Sequence, residues 1–484
     1  MLDPTIPILG SRTLIWIVAQ LHLNFAAFIL GAPLFIVMAE YLGYRWKDPR
    51  WERLAHEMTH VTAFAYSLTA LMGGFFIFVM VGLYADFSSY IFPRFFPVWV
   101  ALYPFLFITE TILIYTYNYA WHHWNGSKKR RHLTIGVLLN IVGTLTMFTQ
   151  NSIASFMNTP PENWETASVW QLMNNPTWWP INLHRFIANI TFGGFITALV
   201  AAFMYLSAKS REDKEFYDWM GFIGTGIGII TFALLAVPGY IFGREIYAYD
   251  ASLGLYLMSD RLSMFFEMQG LLIGLGYLIA NYYIWLSVRR IEGGERFARW
   301  FKIGFGLIFL GSAIWVTPRH WFATMVPDPG VQLDVNALEL PSHLGFLALM
   351  PAKNAAAAWT ILVTFFNYFL YRKAISKGKI EWGKIEIPSQ YALILQGFIA
   401  IWTMGLMGAV RSLMRKSYHV YNAIPDLTQF SYTPTLAYSS LVTTIVTLIF
   451  FGLIAFMIWL ALKVYRGGAA ANEETGGTSD VAVA

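Results

Sequence analysis

The sequence predicts an all-α integral membrane protein of about eleven transmembrane helices, on the strength of its composition, its recurring apolar runs and the placement of its basic residues. Of the 484 residues, 57% are hydrophobic and 13% charged, against roughly 25% charged in soluble domains. Apolar runs of ~20 residues, each about enough to cross a bilayer core, recur along nearly the whole chain. They leave no room for a soluble domain, so residues 1–466 read as a single polytopic membrane domain.

The spans fall at 13–41, 61–85, 98–121, 132–157, 183–208, 216–241, 262–288, 300–318, 344–371, 389–410 and 436–465. The first is too long for a cleavable signal and has no small-residue cleavage site after it, so it reads as a retained helix. A wrong number of spans would scramble the basic residues between alternate loops. Instead the odd-numbered loops collect Arg45, Lys47, Arg50 and Arg53, then Lys128, Lys129, Arg130 and Arg131, then Lys209, Arg211 and Lys214. Arg289, Arg290, Arg296, Arg299 and Lys302 follow, then Arg372, Lys373, Lys377, Lys379 and Lys384, which makes 21 of the 33 Lys and Arg residues. The N-terminus is therefore expected outside and the C-terminus in the cytoplasm.

This topology accounts for the net charge of +5, which needs no nucleic-acid partner. Residues 467–484, rich in Gly, Ala, Glu and Thr, read as a disordered cytoplasmic tail. Two outer segments are rich in Pro and Trp: 158–182, with Pro160, Pro161, Pro176 and Pro180, and 319–343, with Pro327, Asp328, Pro329 and Gly330. They suit a folded lid or a docking surface for a partner, or equally an interfacial aromatic belt. Cysteine is absent, which excludes disulfides, iron-sulfur clusters, thiolate metal sites and covalent haem attachment through cysteine. A cofactor here must use His, Met, carboxylate or backbone groups.

Ionisable side chains inside hydrocarbon are expensive and mark function by default. His22 lies about ten residues into the first helix, His184 at the start of the fifth, and Glu110 midway along the third. Gln150 and Asn151 lie toward the outer end of the fourth, so His22, His184, Gln150 and Asn151 share one depth in the outer half. Neutral imidazole is a good axial ligand for haem iron, with Met a common second ligand. The seventh helix opens with Arg261, Met264, Glu267 and Met268, which makes a His184/Met268 pair sterically sensible, while Met350 and His343 compete for the Met268 role. Ordinary interhelical hydrogen bonding is the plainer alternative for a lone His, and most of the 19 Met residues simply pack. His56, His60, His122, His123 and His132 flank basic loops and read as interfacial. His320 and His419, beside Arg319 and Arg415, could bind propionates but read as solvated loop residues.

The order of His22, Gly73-Gly74, Glu110, Asn151, Asn175-Pro176 and His184 resembles subunit I of cytochrome bd quinol oxidases over residues 1 to about 240. Arg415-Lys416-Ser417-Tyr418 followed by Tyr438-Ser439-Ser440 is similar to that family's Arg-containing outer loop and final helix. The resemblance implies a haem-binding bundle in which His22 ligates the haem of the oxygen-reducing pair. It further implies that His184 and a later Met ligate a low-spin haem b, that Glu110 serves a proton route or the haem environment, and that Asn151 and Arg415 belong to the cofactor site. Quinone or quinol, further membrane subunits and a place in the plasma (inner) membrane of a prokaryote come with it. Three departures touch oxygen and quinol chemistry. Leu102 stands where the family has a second Glu, and Arg411 or Ser412 stands near its haem-ligating Glu. Its long quinol-binding loop is replaced by a short 242–261, with two extra helices in the divergent 262–466 part.

The reading is thus a bd-oxidase-like haem protein passing electrons between the quinone pool and a haem or protein partner, such as an outer-face cytochrome. The alternative is a true terminal oxidase, with quinol oxidised near Arg244 and Glu245. A secondary transporter using Glu110 and Asp86 would call for inverted repeats, and none is evident.

Overall fold

A computed structural model describes residues 11–124, 126–258, 262–317, 350–416, 418–426, 444–457 and 459. The first two helices, α1 (Ser11–Trp46) and α2 (Pro49–Leu83), form an antiparallel pair with almost no loop between them. Lys47 adopts φ 54°, turning the chain, and Asp48 accepts a hydrogen bond from the Arg50 backbone N–H at 3.0 Å with Pro49 at the first helical position. These caps start the second helix twelve residues earlier than the apolar pattern alone suggests.

Next come α3 (Ala85–Arg94), a π-helical stretch Phe96–Leu102, α4 (Tyr103–Tyr119) and α5 (Lys129–Phe156). Within the Pro- and Trp-rich segment, α6 (Val169–Met173) starts on a Ser168/Gln171 capping box. Beyond α7 (Trp178–Ser207), the sixth expected span divides into α8 (Arg211–Leu234) and α9 (Ala236–Tyr249). Pro238 has no N–H for the Leu234 carbonyl, which explains a break at that point. The residues expected as a short loop, 242–261, are helical as far as Met258: α9 runs to Tyr249, and Asp250 caps α10 (Ala251–Met258) by accepting from the Ser252 N–H at 2.8 Å. The chain continues through α11 (Ser263–Val288), α12 (Ala298–Val316), α13 (Met350–Ile375) and α14 (Ile387–Leu413), a hairpin of Tyr418–Val420 with Ile424–Pro425, and α15 (Thr444–Met457).

Among the described residues nine helical stretches are long and apolar enough to cross a membrane. The ninth expected span corresponds to α13, which carries Lys353, Arg372 and Lys373. The eleventh is represented by the shorter apolar α15. The tail 467–484, the segment 319–343 with its Pro327–Gly330 run and His320, and Arg261, His343, Ser417 and Tyr438–Ser440 lie outside the described residues, as does the side chain of Asp86.

In the bundle α1 packs against α2, α5 and α7, while α7 also meets α8 and α14, and α11 meets α12 and α14. The α7–α8 crossing is close because Gly194 faces Gly224 and Gly228; a Cβ on Gly194 would come within 2.7 Å of the Gly228 nitrogen. Small residues at such crossings are how membrane helices gain packing contact.

The basic loops gather at one end, as the loop pattern requires. Arg53 bonds Asp213 at 2.8 Å, Arg289 bonds Glu386 at 2.8 Å, and Arg290 pairs with the fully buried Asp218. At the same end Glu40 is buried and accepts from Tyr117 Oη at 2.5 Å, His132 Nδ1 at 2.6 Å and Lys129 Nζ at 2.9 Å. His132 is therefore not interfacial: it is 1% exposed, and its Nε2 faces the Tyr117 carbonyl at 2.7 Å.

Candidate functional site

The polar residues singled out in the sequence lie toward the bundle end opposite the basic loops. The imidazole of His22 turns from α1 onto α2, where its Nδ1 donates to the Thr69 carbonyl at 3.1 Å. That hydrogen bond settles the roles of the two ring nitrogens: with the proton on Nδ1, Nε2 keeps a lone pair. Phe76 stacks on the ring at 6.4 Å between centroids, and Gly73 makes room for it, since a Cβ there would lie 2.9 Å from His22 Cε1.

His184 lies two turns into α7 and packs on α9. Its ring stacks with Phe242 at 6.3 Å, and Gly239 passes so close that an added Cβ would sit 3.5 Å from Nδ1. Nδ1 is buried and has no hydrogen-bond partner, a costly state for a polar atom in hydrocarbon. Met268 lies on α11 and packs against the same large apolar cluster as Phe242. Met350 opens α13.

Asn151 belongs to a buried chain of amides. Its Nδ2 donates to Asn182 Oδ1 at 2.7 Å, and its Oδ1 accepts from Arg185 at 2.5 Å. Gln150 accepts instead from the Trp99 indole at 3.1 Å. Asn175 knots the turn into α7, bonding Ser155 at 2.9 Å and accepting from Thr159 at 3.1 Å. Arg415 donates to the His419 carbonyl at 2.5 Å and to Ser412 at 3.3 Å. His419 is not a solvated loop residue: it is buried between the Tyr84 and Phe87 rings and lies 3.5 Å from Asp426.

Glu110, 3% exposed on α4, faces Gly143 and the Thr146 hydroxyl of α5. Arg244 and Glu245 lie 3.7 Å apart on α9, the arginine mostly exposed.

Four functional candidates escaped the sequence: Arg185, Arg411, Glu40 and Asn182. The two arginines were visible as charges within apolar spans, the signal that did find His22 and His184. Glu40 likewise sits near the end of the first span, but its partners come from two other helices.

Among the described residues no three His, Asp or Glu side chains gather as a metal site. Lone imidazoles suit an iron whose equatorial ligands come with a porphyrin. The unpartnered Nδ1 of His184, the free lone pair of His22 and the glycines that clear space at each ring fit that group.

The fold defines a multi-pass, all-α membrane protein. A sequence model of the family described as cytochrome bd terminal oxidase subunit I matches residues 11–252. The chain belongs to that family, which brings haem as cofactor and quinol as substrate. Among solved structures, the structure of bd oxidase from Geobacillus thermodenitrificans has a similar fold, with a TM-score of 0.54 at 16% identity over 94% of this chain and 97% of that one. The likeness of fold thus extends well past the N-terminal half in which the sequence resemblance is concentrated. No curated protein matches the chain by sequence.

Proposed function

We propose that this chain is the haem-bearing, quinone-linked subunit of a membrane redox complex, with His184 and Met268 ligating a low-spin haem b and His22 ligating a second haem. The observation that carries this reading is the buried, unpartnered His184 Nδ1 held against Gly239. When bound, haem supplies reversible one-electron chemistry. The chain's own residues do the rest. The Thr69 carbonyl fixes the His22 ring with Nε2 as the lone-pair atom, and Gly73 and Gly239 keep their helices clear of the two rings. The Asn151–Asn182 pair joins α5 to α7 beside His184. Met350 and His343 are the competing sixth ligands. Arg244 and Glu245 mark the quinone-facing segment, and the surface around 158–182 is where an outer redox partner or a further membrane subunit docks. In this reading the end bearing His22 and His184 faces outward and the basic end is cytoplasmic, following the loop charges.

A second reading, terminal oxidase, is favoured by the coordination-ready Nε2 of His22 together with the buried carboxyl of Glu110 beside Thr146. Leu102 and the neighbourhood of Arg411, where carboxylates are missing, speak for electron transfer without oxygen reduction. Reduced-minus-oxidised spectra with and without carbon monoxide separate the two. A low-spin b signal with no carbon-monoxide-reactive species supports the first reading; a carbon-monoxide-reactive haem lost in His22→Ala supports the second.

A further inference from the structure

Arg185 of α7 and Arg411 of α14 lie on two helices that pack against each other, within range of each other's charge. Arg185 directly follows His184 in α7, and its charge also acts on His22, so this guanidinium is within range of both candidate haem ligands. Arg185 has Asn151 Oδ1 as its neutral partner. Nη1 of Arg411 is buried without any partner. Among the described residues neither arginine meets a carboxylate, whereas the buried cations of the basic end do: Arg290 has Asp218, and Lys129 has Glu40. Two like charges within reach of one another in a membrane-spanning bundle are unfavourable unless an anion lies with them. The α14 surface there is polar as well as cationic. Gln20 of α1 presses onto Gly408, where an added Cβ would lie 2.1 Å from Gln20 Nε2, and Gln20 Oε1 has no donor.

We infer that Arg185 and Arg411 form a two-guanidinium site for the carboxylates of a bound haem, its propionates. This rests on the haem reading above. Guanidinium forks match carboxylates in geometry and keep their charge when buried, and a haem brings two carboxylates to a site that has two unmatched cations. Arg415, the arginine the sequence suggested for this role, is already engaged with the His419 carbonyl and Ser412. The site also explains why a span that carries no carboxylate at this level carries an arginine instead.

The test is a spectroelectrochemical titration of the purified full-length protein and of Arg185→Gln, Arg411→Gln and Arg411→Lys, with haem content measured alongside. Removing a positive charge beside the propionates favours the oxidised haem. The Gln variants should therefore show a midpoint potential shifted downward or a loss of bound haem, while Arg411→Lys keeps most of the wild-type potential. Arg211→Gln, an exposed charge at the basic end, should leave the potential in place. Haem in the wild type with unshifted potentials and full haem content in both Gln variants overturns this assignment alone. A wild type without haem overturns both it and the haem reading. Phosphorus analysis covers the other carrier of buried negative charge: a stoichiometric phospholipid lost from Arg411→Gln, with the potential unmoved, assigns the pair to a lipid headgroup and overturns the propionate site.

Discussion

His22 Nδ1 lies 3.1 Å from the carbonyl oxygen of Thr69, one helix away. The acceptor is backbone, so no side-chain substitution removes it, but the space beside the ring can be tested. Two adjacent glycines on α2 differ in what a methyl group would meet: at Gly73 a Cβ lies 2.9 Å from His22 Cε1, and at Gly74 nothing lies within 4 Å. Gly73→Ala should displace the ring and alter or deplete the haem signal assigned to His22, with the protein still folded. Gly74→Ala should leave the visible spectrum unchanged. Equal effects from the two variants would separate His22 from haem.

The sixth ligand of the low-spin haem is decided by Met268→Leu against Met350→Leu. Leucine keeps volume and removes the thioether, so packing changes by less than about 1.5 kcal/mol. Met268→Leu should convert the low-spin signal to high-spin, and Met350→Leu should not. The reverse result would move the ligand to α13.

The basic end is held by buried charge pairs, and one of them offers a stability test. Arg290 bonds both Asp218 and Tyr371, with the Asp218 carboxylate also accepting from the Gly383 N–H at 2.9 Å. Arg290→Ala leaves that carboxylate buried and unpaired, a loss of about 3–5 kcal/mol. Thermal unfolding in detergent should show a large fall in midpoint, with Tyr371→Phe costing about 1 kcal/mol by comparison. A small effect of Arg290→Ala would mean that Asp218 finds water or another cation.

At the opposite end the Asp250 carboxylate ties the start of α10 to the 418–425 hairpin through Tyr421. Burial alone would raise the Asp250 carboxyl, but hydrogen bonds from the Tyr421 hydroxyl at 2.7 Å and from Ser252 outweigh it and hold Asp250 below the usual carboxylate range. A depressed folded value stabilises above the unfolded value near ~3.9 and is lost as pH falls through the folded one. The 418–425 hairpin should therefore stay protected from hydrogen exchange at pH 5 and loosen below about pH 4. Tyr421→Phe should remove that pH dependence, and an identical profile in wild type and variant would contradict it.

The helical bundle was legible because a bilayer imposes a minimum length on each span and sorts lysine and arginine between loops. His22 and His184 were legible because imidazole inside hydrocarbon needs a reason. The remainder required contacts between distant segments. Arg411 looks like a substitution in a family motif, and only the packing of α14 on α7 brings its charge within range of Arg185, with its Nη1 unpartnered. His132 looked interfacial beside Lys128–Arg131, yet Glu40 from α1 and Tyr117 from α4 enclose it. Residues 242–258 looked like a loop because Asp250, a helix cap, interrupts the apolar run.

The most direct test of the central claim is the reduced-minus-oxidised visible spectrum of the purified protein beside that of His184→Ala. The account predicts a b-type band in the wild type whose low-spin component disappears in the variant. A wild type with no haem band, or a variant with the low-spin band intact, would contradict it.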